Sequence, residues 1–192
     1  MAAPGAPRFD PALLLRAQGG GLGLKAAIFD VDGVLTDGRI YVGADGETFK
    51  AYSTLDGQGL KLLRQGGIEP LIISGRDSAA LRRRVADLGL VHAVYGAHDK
   101  LAAAQGLFAT LRLDWASVGA MGDDWPDLPL LTRAAFACAP PAAHAEVRAV
   151  AHHVTAAAAG YGAAREFCDL LLMASGRYGA LLQRQSTTLD SN

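Results

Sequence analysis

From Lys25 onward, short apolar runs alternate with amphipathic segments, and that alternation leaves the chain few folds to choose from. Runs near 25–30, 69–73, 92–95, 116–121, 135–138 and 152–154 have the length and composition of strands. Segments near 56–65, 77–88, 99–112, 126–133, 142–149 and 161–174 read as helices. Strand and helix in regular succession predict a parallel sheet with helices on both faces, the Rossmann-like α/β class. One segment breaks the succession. Residues 38–52, GRIYVGADGETFKAY, hold two extended runs around Ala44-Asp45-Gly46. Asp-Gly between β-formers predicts a β-hairpin, here inserted after the first strand.

The 192 residues suit one domain, expected over 25–178 with the hairpin at 39–52. Residues 1–24 read as an extension: a disordered start, a short helix Pro11 to Ala17 and a flexible Gly19-Gly20-Gly21. Residues 179–192 read as a tail. A formal net charge of -1 gives no overall field to attract nucleic acid or an anionic membrane surface. No apolar run approaches transmembrane length and the start does not resemble a secretion signal, so a cytoplasmic protein is expected. Cys138 and Cys168 have neither metal-ligand spacing nor a disulfide framework, and read as core residues. The histidines have no ligand spacing with the acidic residues; His98 reads as a loop residue and His152-His153 as the start of an edge strand.

Ligands of an open parallel sheet bind at the carboxyl ends of its strands. In FDVDGVLTDG, positions 29–38, Asp30 and Asp32 close the first strand. Ser74-Gly75-Arg76 follows Leu71-Ile72-Ile73, Lys100 opens the helix after the third strand, and MGDDWPD, positions 121–127, follows Val118-Gly119-Ala120. Four successive strands thus bring Asp, Ser, Lys and Asp to one rim. Singly these are common caps, turn residues or a solvated lysine. In order, at strand ends, they describe a site. Clustered carboxylates are tolerable around a hard divalent cation, and Mg²⁺ takes oxygen ligands while keeping some water. A carboxylate beside it can attack phosphorus and form an aspartyl phosphate. Lys100 and Ser74 can hold phosphoryl oxygens. Asp32 can protonate the leaving oxygen and later activate water.

The series DVDG, SGR, Lys100 and GDDWPD resembles the four motifs of the haloacid dehalogenase superfamily of phosphohydrolases over roughly residues 25–175. The resemblance implies Asp30 as nucleophile, Asp32 as general acid/base, and Ser74 and Lys100 as phosphate holders. It implies Mg²⁺ held by the Asp30 carboxylate, the Asp32 backbone carbonyl and Asp123. Asp124 and Asp127 stay open between contact with a metal-bound water, orienting the loop and capping a helix. The intervals Asp32 to Ser74 and Ser74 to Lys100 have no room for a cap domain, so a capless form is expected.

Three longer stretches, DVDGVLTDGRIYVGADGETFKAYSTLDGQGLKLL, SGRDSAALRRRVADLGL and GYGAAREFCDLLL, are similar to 3-deoxy-D-manno-octulosonate 8-phosphate phosphatases. In that family capless cores assemble as tetramers, neighbouring chains complete each site, and the product feeds lipopolysaccharide synthesis. The resemblance implies a small phosphorylated keto-sugar acid as substrate. It places substrate contacts at Asp32, Ser53, Thr54, Leu55, Asp56, Gly57, Lys61, Arg76, Arg84 and Lys100. Arg and Lys suit the carboxylate of such a substrate as well as its phosphate. The chain departs from the pattern at Leu55 and Tyr161, where relatives usually carry arginine. Phosphatases of nine-carbon sialic-type 9-phosphates share the architecture, and a non-catalytic tetramerising module is the alternative from another class. A receiver-type phosphoacceptor lacks an acid placed like Asp32.

Overall fold

The computed structural model describes residues 9–19 and 23–187; the expectations for residues 1–8, for Gly20 and Gly21 and for 188–192 lie outside them. In chain order the elements are α1 (Pro11–Ala17), β1 (Ala26–Phe29), β2 (Tyr41–Gly43), β3 (Gly46–Phe49), α2 (Thr54–Gln65), β4 (Glu69–Ile73), α3 (Ala79–Asp87), β5 (Ala93–Val94) and α4 (Lys100–Leu111). They continue as β6 (Val118–Met121), α5 (Leu128–Leu131), β7 (Phe136–Ala139), α6 (Ala145–Val150), β8 (His153–Val154), α7 (Ala163–Ala174) and α8 (Tyr178–Thr187). Six strands form one sheet in the order β5-β4-β1-β6-β7-β8, every neighbouring pair parallel. The order runs outward from β1 in both directions. The point where it reverses, between β1 and β6, is where such sheets open a crevice.

The central strand shows why the sequence must fold this way. In Ala26-Ala27-Ile28-Phe29 every residue is buried, as a strand covered on both faces requires. Alternate side chains enter opposite layers. Ala27 and Phe29 join a cluster with Leu63, Phe136, Phe167 and Leu171, under α2 and α7. Ala26 and Ile28 join Phe108, Leu130, Leu131 and Val147, under α4, α5 and α6. Phe167 packs against Phe29 and Phe136 with ring centroids at 5.5 and 6.2 Å. Side-chain caps fix where helices start: Ser53 accepts from Leu55 N–H, Ser78 from Leu81 N–H and Asp99 from Ala102 N–H.

Several boundaries differ from the sequence reading. The helix expected over 126–133 divides into a 3-10 turn, Trp125–Asp127, and the single turn α5, because Pro126 and Pro129 both sit where a helix starts. Tyr178–Thr187 forms α8 where only a tail was expected; Leu181 is buried among a few scattered apolar residues that make a weak helical signal. The hairpin turns at Ala44-Asp45, and Gly46, with φ of 108°, opens the return strand instead of sitting mid-turn. Tyr41 and Phe49 stack across it at 4.4 Å, while Val42 is 73% and Phe49 52% exposed. No further domain interrupts the intervals from Asp32 to Ser74 and from Ser74 to Lys100, so the core is capless. Among the described residues no helix is long and apolar enough to cross a membrane.

Phe167 joins the helical layer to the sheet. Phe167→Ala should lower unfolding free energy by about 3–5 kcal/mol, measured by urea titration. A loss within experimental error would show that the α7 layer contributes little to the core.

Candidate active site

Asp30 sits where β1 ends, its N–H still bonded to the Met121 carbonyl of β6 at 3.1 Å. Lys100, the first residue of α4, crosses beneath it. The Lys100 ammonium donates to Asp30 Oδ1 at 2.6 Å and to Asp127 Oδ1 at 2.7 Å, and all three residues are buried. The other Asp127 oxygen accepts from the backbone N–H of Asp123 and Asp124, at 3.1 and 3.3 Å. Asp127 therefore holds the loop after β6 and anchors Lys100, while Asp124 caps the 3-10 turn through Trp125 N–H. Two glycines make room for the carboxylates. A Cβ on Gly33, whose φ is +90°, would lie 2.1 Å from Asp123 Oδ2, and one on Gly122 would lie 2.4 Å from the Asp127 Cβ.

Oxygen atoms of Asp30, Asp123 and Asp127 lie within 4.8 Å of one another. Three carboxylates face one ammonium. Burial, then the charge of Asp127, pushes the Asp30 carboxyl well above its ordinary range against the opposing pull of Lys100. The same two causes, in the same order, push Asp123 from 3.8 up to about 6. Burial alone would lower Lys100, but Asp30 and Asp127 outweigh it and raise it. Excess negative charge on oxygen donors in a half-closed site fits a hard divalent cation.

The site opens into a cavity of about 490 Å³, walled by Asp30, Asp32, Arg76, His98 and Asp123 among others. Ser74 lies just beneath, 1% exposed, its hydroxyl accepting from Arg76 N–H at 3.1 Å. The Asp32 side chain turns to the hairpin, where it pairs with Lys50; Arg76 Nε is 4.0 Å away. The remaining residues expected to contact substrate are elsewhere. Ser53, Thr54 and Leu55 line a second cavity of about 450 Å³ with Tyr41 and Tyr161. The Asp56 carboxylate accepts from Gly162 and Arg165 N–H, capping α7, so it is occupied as a structural group. Arg84 donates to the Ser53 carbonyl at 2.9 Å and fills the space that Gly57 leaves for lack of a side chain. Lys61 lines neither cavity.

Sequence reading passed over Lys50 and Glu47, and left Asp127 undecided. For Asp127 the available signal was its place four residues after Asp123 on a proline-broken turn, which returns its carboxylate to the loop. For Lys50 no local signal existed, since a hairpin lysine is ordinarily solvated.

An aspartate whose carboxyl is raised on folding stabilises the fold fully below its unfolded value, and that contribution is lost as pH rises through the folded one. The metal-free protein should therefore lose stability as pH rises from about 4 through about 6. Asp123→Asn removes that charge. In a chelator at about pH 7.5 it should unfold about 1–3 kcal/mol later than the unaltered protein, with a flatter pH profile. A variant less stable than its parent there would show that Asp123 is satisfied without a cation.

A haloacid dehalogenase-like hydrolase family profile matches residues 90–167. The 3-deoxy-D-manno-octulosonate 8-phosphate phosphatase of Yersinia pestis is 40% identical over 154 residues, spanning 80% of this chain and 82% of that protein. A probable YrbI family phosphatase from Pseudomonas syringae superposes with a TM-score of 0.86 at 43% identity, covering 95% of this chain and all of the other. The Moraxella catarrhalis 3-deoxy-D-manno-octulosonate 8-phosphate phosphatase, solved with magnesium, phosphate and KDO, superposes with a TM-score of 0.85 at 37% identity, covering 92% and 99% of the two chains. With likeness of this degree running through sequence and fold alike, the chain belongs to the 3-deoxy-D-manno-octulosonate 8-phosphate phosphatase family of haloacid dehalogenase-like hydrolases.

Proposed function

We propose that the protein is a Mg²⁺-dependent phosphatase that hydrolyses 3-deoxy-D-manno-octulosonate 8-phosphate to the free sugar acid and phosphate. The observation that carries this reading is the buried Asp30–Lys100 pair beside Asp123, at the reversal point of the sheet. The Moraxella enzyme, crystallised with magnesium, phosphate and the sugar acid, supports it. Asp30, Asp123 and the Asp32 backbone carbonyl would hold the cation. Bound there, Mg²⁺ offsets the charge of the carboxylates and of an arriving phosphoryl group.

The residues then divide the work. Lys100 opposes the burial that favours the protonated form of Asp30, and with a cation held beside it the carboxylate form would prevail, so that one of its oxygens can attack phosphorus. The bond from phosphorus to the sugar oxygen breaks with its electron pair, and Asp32 delivers a proton to that oxygen. Asp32, now a carboxylate, takes a proton from water, which attacks phosphorus and releases Asp30 and phosphate. Ser74 fixes the turn below the phosphoryl site through Arg76 N–H. Arg76, half-exposed on the cavity wall, is the cation that meets the carboxylate of the substrate. Leu55 and Tyr161 leave the second cavity without an arginine of their own, so the sugar is the point to test.

With Mg²⁺, kcat/KM should be highest for the eight-carbon 8-phosphate, lower for nine-carbon 9-phosphates and lower still for hexose phosphates. Chelation should abolish turnover and added Mg²⁺ restore it. Asp30→Asn should fold normally and lose essentially all activity, because an amide is a poor nucleophile. Preference for a nine-carbon substrate would move the enzyme to the related specificity; undiminished turnover by Asp30→Asn would remove the covalent mechanism.

We assign the enzyme a cytoplasmic homotetrameric form. Its two cysteines are free thiols. A two-stranded ribbon exposing Val42 and Phe49 is poorly stable alone in water, and a neighbouring copy would bury those side chains and roof the open site. Val42→Glu with Phe49→Glu should give a smaller particle in light scattering and a raised KM for the sugar phosphate. A fully active monomer before any substitution would exclude capping by neighbours.

A further inference from the structure

Lys50 lies one residue past β3, and its side chain is only 1% exposed. Its ammonium contacts Asp32 Oδ1 and lies 3.3 Å from Glu47 Oε2. Arg76 closes the group, with Nη2 3.2 Å from the same Glu47 oxygen. The hairpin is thereby tied to the active site of its own subunit through two acids and two bases. The two cations differ. Arg76 is 50% exposed and lines the acidic cavity. Lys50 is withdrawn from solvent, lines neither large cavity, and faces two carboxylates. A buried ammonium so placed is poorly suited to meet a ligand; its geometry suits holding a partner still.

We propose that Lys50 is a positioning residue for Asp32, with Glu47 as its fixed anchor. The inference rests on the proposed role of Asp32 as the acid that protonates the leaving sugar oxygen. A carboxylate on a loop after a strand has rotational freedom, and proton delivery requires it within hydrogen-bond reach of one oxygen. Lys50 removes that freedom through Oδ1, while Oδ2, with Arg76 Nε 4.0 Å away, carries the proton for the sugar oxygen. Misplacement of a reacting group by about 1 Å costs on the order of 10²-fold in rate. The hairpin thus carries part of the catalytic apparatus of its own subunit.

The test compares two leaving groups. The sugar oxygen needs a proton to depart, whereas p-nitrophenolate leaves without one. Asp32→Asn sets the pattern for loss of the acid: a large drop in kcat/KM on the sugar phosphate and a smaller drop on p-nitrophenyl phosphate. Lys50→Met should reproduce that unequal loss, on the order of 10²-fold on the sugar phosphate, in kcat more than in KM. Lys50→Arg should recover much of it. Glu47→Gln, which keeps the Lys50 charge, should show the same inequality in weaker form and settles the matter if Lys50→Met does not fold. Equal loss on both substrates in the folded variants, or none, overturns the inference while the Asp32 pattern stands. If Asp32→Asn itself turns over the sugar phosphate normally, the underlying reading of Asp32 is what fails.

Discussion

A single buried ammonium holds the rim of this molecule together. Lys100 joins the end of β1 to the loop after β6 by donating to Asp30 and Asp127 at once. Its position is costly from two sides: the amino end of a helix disfavours a cation, and burial disfavours any charge. The paired carboxylates make it tolerable, and Lys100 offsets part of the repulsion between them. Asp127 in turn orients the backbone that presents Asp123. Removing the lysine would leave buried acids unpaired and the loop without its anchor, so phosphate chemistry and local structure depend on the same atom.

The sheet was legible in the sequence because its strands are nearly all apolar and its helices begin at recognisable caps such as Ser53, Ser78 and Asp99. Every expected strand of the main sheet forms, as does the hairpin. Errors gathered where short-range signals compete. Pro126 and Pro129 shorten a helix whose apolar residues suggested two full turns, and α8 has too few buried residues to announce itself. Residues Asp30, Asp32, Lys100 and Asp123 meet as the strand-end argument requires, because that argument needs only topology. Side-chain direction was beyond reach. Nothing in STLDG reveals that Asp56 turns back to cap α7, or that Arg84 is drawn inward by the Ser53 carbonyl. Lys50 depends on how the hairpin folds over the rim, a tertiary fact with no local trace.

The two cavities differ in character. One is lined by carboxylates, Arg76 and His98; the other by Tyr41, Tyr52, Leu55 and Tyr161 with a few hydroxyls. The stretch from Asp37 to Tyr41 runs between them, since Gly38 and Ile40 face the first and Asp37 and Tyr41 the second. Under the proposed function, phosphoryl chemistry and the carboxylate contact of Arg76 fall in the first cavity, and the second offers a more apolar wall beside it. Change in the second, such as an apolar side chain at Leu55, need not disturb the first.

The central place of β1 has a consequence for the order in which the chain acquires structure. It precedes the other strands of its sheet in the chain, yet Ala26 has no strand neighbour until Glu69 and Val118 exist on either side. Parallel pairing across such separations is slow to form. Asp30 therefore emerges long before Lys100 and Asp123, and a nascent chain carries lone, hydrated carboxylates in place of a charged cluster. Cation capture and phosphoryl chemistry become available together, late, when β6 closes against β1. An incomplete chain lacks the partial site that could hold a metal in the wrong surroundings.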